Sequence, residues 1–259
     1  FKDHNIKTIY HLAAILSTKA ESNPIMAHNI NVGGFFNIIE NINQSNVKLF
    51  FPSSIAVYLL KNKNNTAINE SEYCNPNNIY GCNKLYCEKI GTYFSQYSNK
   101  IDNLDFRSIR FSGIISADTL PHGGTSDYAP EMIHCAVQNK NYTCFVRSDS
   151  CIPFMVMPDA INAIILLMDA EKQKLTQDVY HIQAFSPTVQ NIWDKLILTF
   201  PKFELNYNIN PNRQTLIDSW PSILDQNKAI NDWGWKPKYE FDNAFKDYLI
   251  PKIIEFYKK

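Results

Sequence analysis

The sequence has little glycine, and none of it is spaced for a nucleotide-binding turn. Its 259 residues include eight glycines, and no G-x-G-x-x-G or G-x-x-G-x-x-G pattern occurs among them. That turn normally holds the pyrophosphate in a dinucleotide-binding half. The chain begins at Phe1 without a signal-peptide or transit-peptide pattern. We therefore expect a fragment that lacks an N-terminal glycine-rich segment.

An excess of charge and a long apolar run are also missing. The 25 basic and 25 acidic residues cancel, which argues against a surface that follows nucleic-acid phosphates or an anionic membrane. The longest apolar candidate, Ala160 to Met168, contains Asn162 and falls short of the roughly 20 residues of a membrane span. We expect small, roughly neutral partners, with no nucleic acid and no membrane.

Cysteine and histidine are present but are not spaced for a disulfide framework or a metal. The six cysteines contain no C-x-x-C pair, and the six histidines form no H-E-x-x-H motif. In a chain of this length we expect reduced thiols and no metal site.

What the chain does have is an alternation of apolar runs and amphipathic stretches, which is typical of βαβ units in a parallel sheet covered by helices. It predicts strands at Thr8–Ala13, Val47–Pro52, Leu104–Arg110, Tyr142–Val146, Val179–Gln183 and Phe203–Tyr207. It predicts helices at Pro24–Asn43, Ile79–Tyr97, Asp127–Asn139, Asp159–Asp169, Thr188–Phe200, after Asn210, and at Phe241–Lys258.

A tyrosine and a lysine four residues apart, Tyr80 and Lys84, are predicted to lie one above the other on a helix. A phenol has a pKa of about 10, so it becomes a base near neutral pH only when the phenolate gains about 3–4 kcal/mol. A fixed ammonium nearby lowers the phenol pKa. Ser17, Ser54 and Ser112 each follow a predicted strand, and the carboxyl ends of parallel strands meet at one crevice. The sequence therefore predicts a site with Tyr80 as general base.

Several segments resemble known proteins. The chain resembles the extended short-chain dehydrogenases in HLAAILS (11–17), NVGG (31–34), PSSIAVY (52–58) and YGCNK (80–84). It resembles, more narrowly, the NAD-dependent L-threonine 3-dehydrogenases in GIISAD (113–118), GGTSDYA (123–129), DSWP (218–221) and DWGW (232–235). These segments span nearly the whole chain in the order of the family.

The resemblance implies a Rossmann-like α/β fold: a doubly wound parallel sheet, incomplete at its N-terminus, with a smaller C-terminal α/β region. Residues 1–115 would form an incomplete NAD-binding domain, to which residues 151–186 return. Residues 116–150 and 187–259 would form the substrate-binding region. The family resemblance also implies a homodimer through the helices at 24–43 and 79–97. It implies a cytoplasmic location, or the mitochondrial matrix if a transit peptide preceded Phe1.

The resemblance also implies NAD as cofactor and L-threonine as substrate, with oxidation of the 3-hydroxyl to 2-amino-3-oxobutanoate. The implied catalytic residues are Tyr80, Lys84, Ser54 and Asn31. The implied cofactor-binding residues are Leu12, Ala13, Ala14, Asn31, Tyr80, Lys84, Ser112 and Gly113. The implied substrate-binding residues are Ser17, Ser53, Ser54, Tyr80, Thr125, Ser126 and Trp220.

Two local patterns refine these expectations. Gly123-Gly124 before Asp127 indicates a loop that leads into a helix N-terminus, whose N–H groups suit the substrate carboxylate. Asp159 is expected to be an N-cap, and the tryptophans of the DWGW segment are expected to pack in the core.

The chain departs from the family pattern in three places. Leu59-Leu60 stand where the family has Gly-Pro, Ser112 stands in place of a proline, and His122 in place of a glycine. Each is expected to affect the fit of cofactor or substrate. Two alternatives stay open. One is a nucleotide-sugar epimerase or dehydratase of the same superfamily, which the hydroxyl and tryptophan set disfavours but Arg213 keeps open; the other is a non-catalytic remnant that only binds or dimerises.

Overall fold

The centre of the computed structural model, which describes residues 4–42, 46–63 and 66–258, is a four-stranded parallel sheet. Its strands lie in the spatial order β1 (Thr8–Tyr10), β2 (Lys48–Ser54), β3 (Asp105–Phe111) and β7 (Val179–Ile182). All neighbouring pairs are parallel. The predicted α/β parallel sheet is confirmed.

Side chains alternate between the two faces of this sheet, because successive residues of a strand point in opposite directions. Phe50 and Ile109 join a core cluster on one face, whereas Leu49, Phe51 and Phe106 join a cluster on the other. Both faces are therefore covered, and β3 is buried along its whole length.

The first four α-helices in chain order are α1 (Ser17–Ser22), α2 (Pro24–His28), α3 (Gly34–Asn41) and α4 (Ile79–Gln96). A π-helical segment, Asn29–Gly33, joins α2 to α3. The predicted single helix at 24–43 is therefore interrupted, and its last predicted residue, Asn43, lies outside the described residues. Wide turns of this kind often occur at functional sites.

Two small parallel pairs extend the fold beyond the main sheet: β4 (Gly113–Ile115) with β6 (Phe154–Val156), and β5 (Tyr142–Cys144) with β8 (Leu205–Tyr207). The later helices are α5 (Tyr128–Val137), α6 (Met157–Asp169), α7 (Val189–Ile197), α8 (Pro211–Ser219), α9 (Asn227–Trp233), α10 (Phe241–Asn243) and α11 (Ile250–Lys258), with a π-helical segment, Ala244–Leu249, before α11. The pair β4/β6 and the helices α1 and α9 were not predicted, since such short elements carry little periodicity. The domain boundaries stay a prediction.

Asp159 does not cap α6 as expected. The helix begins two residues earlier, with Val156 as its N-cap. The buried carboxylate of Asp159 instead accepts hydrogen bonds from the backbone N–H groups of Lys238 and Tyr239, at 2.9 and 3.0 Å. It ties α6 to the C-terminal segment.

The tryptophans of the DWGW segment pack as predicted. The rings of Trp233 and Trp235 lie 5.9 Å apart in the core. Asp232 accepts hydrogen bonds from Thr176 and from the hydroxyl of Tyr180. This segment is structural.

Three further features concern the whole described chain. All six cysteines are free thiols. Within residues 4–42, 46–63 and 66–258, no group of three acidic, histidine or cysteine side chains is arranged to hold a metal ion. In the same ranges, no helix is long and apolar enough to cross a membrane.

Candidate active site

A cavity of about 520 Å³ lies at the carboxyl ends of the sheet strands, a size typical of ligand-binding sites. Its wall includes these sequence-predicted residues: Leu12, Ala14, Ser17, Ser53, Ser54, Tyr80, Lys84, Ser112, Gly113, Thr125, Ser126 and Trp220. Asn31 and Ala13 were also predicted but do not line it. The structure thus brings most of the predicted site together.

The tyrosine is placed by the contact between the start of α4 and the turn that follows β2. Asn78 caps α4 by accepting a hydrogen bond from Gly81 N at 2.7 Å. Gly81 has no room for a side chain, because a Cβ there would overlap the carbonyl oxygen of Ala56. This close approach places Tyr80 near Ser54, whose hydroxyl lowers the pKa of the phenol; these are the two groups expected to hold the reacting oxygen.

The expected lowering of the Tyr80 pKa is wrong in this structure. Burial raises the pKa of Tyr80 to about 12, and the hydrogen bond with Ser54 only partly opposes that rise. Lys84 Nζ lies 5.5 Å from the centre of the Tyr80 ring and donates to the carbonyl oxygen of Pro52. Desolvation therefore sets the direction of the shift in the Tyr80 pKa.

Lys84 is almost fully buried, with 3% of its surface exposed. Its Nζ donates to the carbonyl oxygen of Pro52 at 2.6 Å and lies 4.6 Å above the ring of Phe51. Burial lowers the pKa of Lys84 to about 8, against the opposing effects of Cys87 and Glu88. An ammonium has three donors, so Lys84 can donate to a ligand as well as to Pro52.

Asn31 lies in the π-helical segment and acts on the segment after β1. Its Oδ1 accepts from Ile15 N at 2.7 Å, and its Nδ2 donates to Ile15 O at 3.1 Å. The resemblance implied a backbone contact of this kind. The contact fixes the segment that carries Ala14 and Ser17, so Asn31 acts on the site from outside the cavity.

The hydroxyl of Ser53 has a partner within the protein, and its predicted substrate contact stays a prediction. Ser53 is 3% exposed, and its Oγ donates to Glu88 Oε1. The side chain of Ser54, the next residue, lies on the opposite face of the strand, where its Oγ accepts from Ala56 N at 3.1 Å. Of the two serines, Ser54 is the one that lowers the pKa of Tyr80.

Hydroxyl groups from two chain segments meet at the substrate end of the cavity. Thr125 Oγ1 donates to Ser17 Oγ at 3.4 Å, and Thr18 Oγ1 donates to Gly123 O. Trp220 is 5% exposed and lines the same cavity, and its Nε1 has no hydrogen-bond partner among the described residues. This end offers several polar groups within a mostly apolar wall.

Two N–H groups of the glycine loop have a partner within the protein, and the anion site expected at the following helix N-terminus stays a prediction. The N–H groups of His122 and Gly124 both donate to Asp127 Oδ2, at 3.0 and 2.7 Å. A carboxylate of the protein therefore already occupies these amides. Asp127 also lines the cavity and was not predicted as a site residue, although the GGTSDYA segment contains it; its charge suits a substrate ammonium.

Two of the departures from the family pattern have structural roles. Leu60 is buried, and its N–H donates to Ser219 O at 2.8 Å, which joins this segment to the one carrying Trp220. His122 takes part in the loop contact with Asp127. Neither side chain lines the 520 Å³ cavity.

The cavity residues fit the nicotinamide and ribose end of a dinucleotide. Ser112 Oγ is buried without a hydrogen-bond partner among the described residues, and Lys84 has donors to spare. Leu12 is exposed beside them at the end of β1. Gly113 has a different reason to be glycine, since a Cβ would meet the Phe154 ring at 2.5 Å. Together these groups offer polar partners for a diol and an apolar surface for a ring.

A parallel α/β sheet, with a tyrosine and lysine four residues apart on a helix and a serine at a strand end, defines the class. It is a Rossmann-like α/β protein that carries the tyrosine, lysine and serine arrangement seen in the sequence resemblance to short-chain dehydrogenases. The model of the "NAD dependent epimerase/dehydratase family" matches residues 1–182. The chain belongs to this family.

Individual relatives are similar over most of the chain. It is 34% identical over 257 residues to the mitochondrial L-threonine 3-dehydrogenase of Bos taurus, covering 98% of this chain and 66% of that protein, just under two thirds of its length. It is 38% identical over 250 residues to an uncharacterized epimerase/dehydratase of Staphylococcus haemolyticus, covering 96% and 76%. The solved L-threonine dehydrogenase of Clostridium difficile is similar with a TM-score of 0.91 and 34% identity, over 98% of this chain and 78% of that one.

Proposed function

We propose that the chain oxidises the 3-hydroxyl of L-threonine with NAD, yielding 2-amino-3-oxobutanoate. The observation that carries this proposal is the meeting of Tyr80, Ser54 and Lys84 in one cavity whose other polar lining is mainly small hydroxyls. The similarity to proteins named L-threonine 3-dehydrogenase supports the same substrate.

The chemistry divides between the cofactor and the side chains. When bound, NAD supplies the hydride acceptor. Ser54 and Tyr80 hold the substrate oxygen between them, and Tyr80 takes the hydroxyl proton as the carbon is oxidised. Because burial keeps the Tyr80 pKa at about 12, its phenolate needs a nearby positive charge, and Lys84 is the basic residue on the described cavity wall.

The amino-acid part of the substrate would lie at the opposite end of the cavity. The hydroxyls of Ser17, Thr125 and Ser126 are suitable donors to its carboxylate. Asp127 is a suitable partner for its ammonium. Trp220 would cover the ligand, since its ring lines this part of the cavity.

The sequence left open a nucleotide-sugar substrate, chiefly because of Arg213. In the structure, Arg213 Nη2 donates to Gly123 O at 3.0 Å, and the guanidinium lies 4.1 Å from the centre of the Phe145 ring. Arg213 thus supports the glycine loop. A substrate with two phosphates would need additional basic groups on the cavity wall, so L-threonine is the better fit.

The decisive experiment compares the two substrate classes in one assay. NADH absorbance is followed with L-threonine plus NAD, and UDP-glucose conversion is followed separately, each with wild type and with Tyr80→Phe. Reduction of NAD that depends on L-threonine and is lost in Tyr80→Phe supports the proposal. Conversion of UDP-glucose without threonine oxidation contradicts it, as does a folded protein that turns over neither.

We also propose a homodimer that pairs α2 and α4 with the same helices of a second copy. Large apolar side chains are exposed on both helices: Ile25, Met26, Tyr86 and Tyr93. Exposed apolar groups of this size on adjacent elements are typical of protein interfaces.

A further inference from the structure

A buried ion pair joins α4, which carries Tyr80, to β3, the neighbour of the strand that carries Ser54. Arg110 Nε donates to Glu88 Oε1 at 2.8 Å, and Arg110 Nη2 donates to Glu88 Oε2 at 2.7 Å. The two side chains are 3% and 1% exposed. Paired bonds of this kind fix both distance and orientation.

The pair joins the three elements that carry the site. Glu88 lies on α4, one turn after Lys84, and Arg110 lies on β3, two residues before Ser112. Ser53 of β2 is the register partner of Arg110 and donates its hydroxyl to Glu88 Oε1. A single carboxylate therefore holds α4 against the ends of both strands.

The Nη1 group of Arg110 is also engaged, so the guanidinium has little freedom to move. Its Nη1 donates to Tyr58 Oη at 2.9 Å and to the carbonyl oxygen of Glu70 at 2.6 Å. Tyr58 Oη in turn contacts His181 Nδ1 at 2.8 Å. The carboxylate of Glu88 is thus anchored to a fixed partner.

Stability alone gives a weak reason for this arrangement. A buried ion pair loses much of its Coulomb energy to desolvation, and replacing it with apolar side chains is often neutral or stabilising. Apolar side chains, however, could not accept the hydrogen bond that Ser53 donates to Glu88. The ion pair is therefore better explained by its effect on the position of α4 relative to β2 and β3.

We propose that Glu88 and Arg110 are positioning residues that set the contact between Ser54 and Tyr80, acting through Ser53 and through the register of α4 on β2 and β3. The effect of these residues on catalysis rests on the proposed function. Their effect on the geometry of Tyr80 does not depend on the proposed function, and it can be measured without substrate.

The main test uses Glu88→Gln, with Asp105→Asn as its matched control. Asp105 pairs with Arg107 at 2.6 Å on the same strand, but at the end away from the cavity, so both variants remove the carboxylate charge from a buried arginine. We expect Glu88→Gln to lower kcat with L-threonine by about 10- to 100-fold, since small misplacements cost this much. KM for NAD should stay within about twofold, and Asp105→Asn should keep kcat within about twofold.

The second readout is the ¹³Cζ chemical shift of Tyr80 in tyrosine-labelled protein without substrate, assigned by its loss in Tyr80→Phe. It reports the hydrogen bond of the Tyr80 hydroxyl. We expect this shift to move in Glu88→Gln and to stay in place in Asp105→Asn. If wild type fails to oxidise threonine, the proposed function is wrong, and this shift still decides the positioning role.

Two further variants cover the case in which Glu88→Gln does not fold. The double variant Glu88→Met/Arg110→Met leaves no unpaired buried charge, and Ser53→Ala keeps the ion pair while removing its link to β2. Both should move the Tyr80 shift. A folded double variant or Ser53→Ala with the wild-type shift overturns the proposal.

Discussion

The side-chain amide of Asn31 makes a bond in each direction with the backbone of one residue, Ile15. It accepts from Ile15 N at 2.7 Å and donates to Ile15 O at 3.1 Å. Asn31 itself is 4% exposed. The segment after β1 would otherwise have an unpaired, partly buried donor and acceptor at Ile15, so this contact determines where Ala14 and Ser17 reach the cavity.

We expect Asn31→Asp to lower the free energy of unfolding by about 1–3 kcal/mol, because a carboxylate has no donor for Ile15 O and leaves that carbonyl unsatisfied. Urea unfolding followed by circular dichroism measures the change. Asn37→Asp, on the exposed side of α3, controls for the added charge and should stay within about 0.5 kcal/mol. Equal losses in the two variants would show that the contact with Ile15 contributes nothing.

Tyr80→Phe should lower kcat for threonine oxidation by about 10²–10⁴-fold, the usual contribution of a general base. The ring still packs, so the thermal unfolding temperature should change little. NADH absorbance under saturating substrate measures the rate. Tyr93→Phe, on the exposed face of the same helix, serves as the control; a Tyr80→Phe enzyme with more than about a tenth of wild-type kcat would show that Tyr80 is not the base.

Much of this site could be predicted because it depends on spacing along the chain. Tyr80 and Lys84 share a helical face, and Ser54 follows a buried strand, whatever the rest of the fold does. The Glu88 and Arg110 pair could not be predicted, since its partners come together only when β2 and β3 align in register. The direction of the Tyr80 pKa shift also depended on burial, which spacing does not reveal.

Gly81→Ala should destabilise the protein by about 1–3 kcal/mol, the usual cost of forcing extra atoms into a packed site. The added Cβ would overlap Ala56 O and lie 2.8 Å from Pro76 Cβ. Threonine oxidation should fall as well, because relief of the overlap moves Tyr80 away from Ser54. Gly33→Ala is the matched control: a Cβ there has nothing within 4 Å, and alanine should be neutral or stabilising by up to about 1 kcal/mol.

The homodimer should depend on apolar contacts from α2. Ile25 is 77% exposed, and burying such a side chain contributes about 1.5–3 kcal/mol. Ile25→Glu should therefore shift the sedimentation velocity profile from dimer towards monomer. Leu198→Glu changes a side chain of similar exposure, 76%, outside α2 and α4, and should leave the profile unchanged; a monomeric wild type would contradict the proposed interface.

Lys84→Met should abolish threonine oxidation and yet raise stability below pH 8. Burial lowers the folded-state pKa of Lys84 to about 8, below the value of about 10.4 for an exposed lysine. Wild type therefore bears the full cost of the buried ammonium below pH 8. It gains stability relative to the variant as pH rises from about 8 to about 10.4, and the gain levels off above about 10.4, where the lysine is neutral in both the folded and the unfolded state. The measurement is the free energy of unfolding of both proteins from pH 6 to 10.4 without nucleotide, with Lys89→Met on the exposed side of α4 as the control for methionine in this helix. A difference between wild type and Lys84→Met that does not shrink with rising pH would show that the Lys84 ammonium is not desolvated, and that its packing, not its charge, sets the stability of this part of the site.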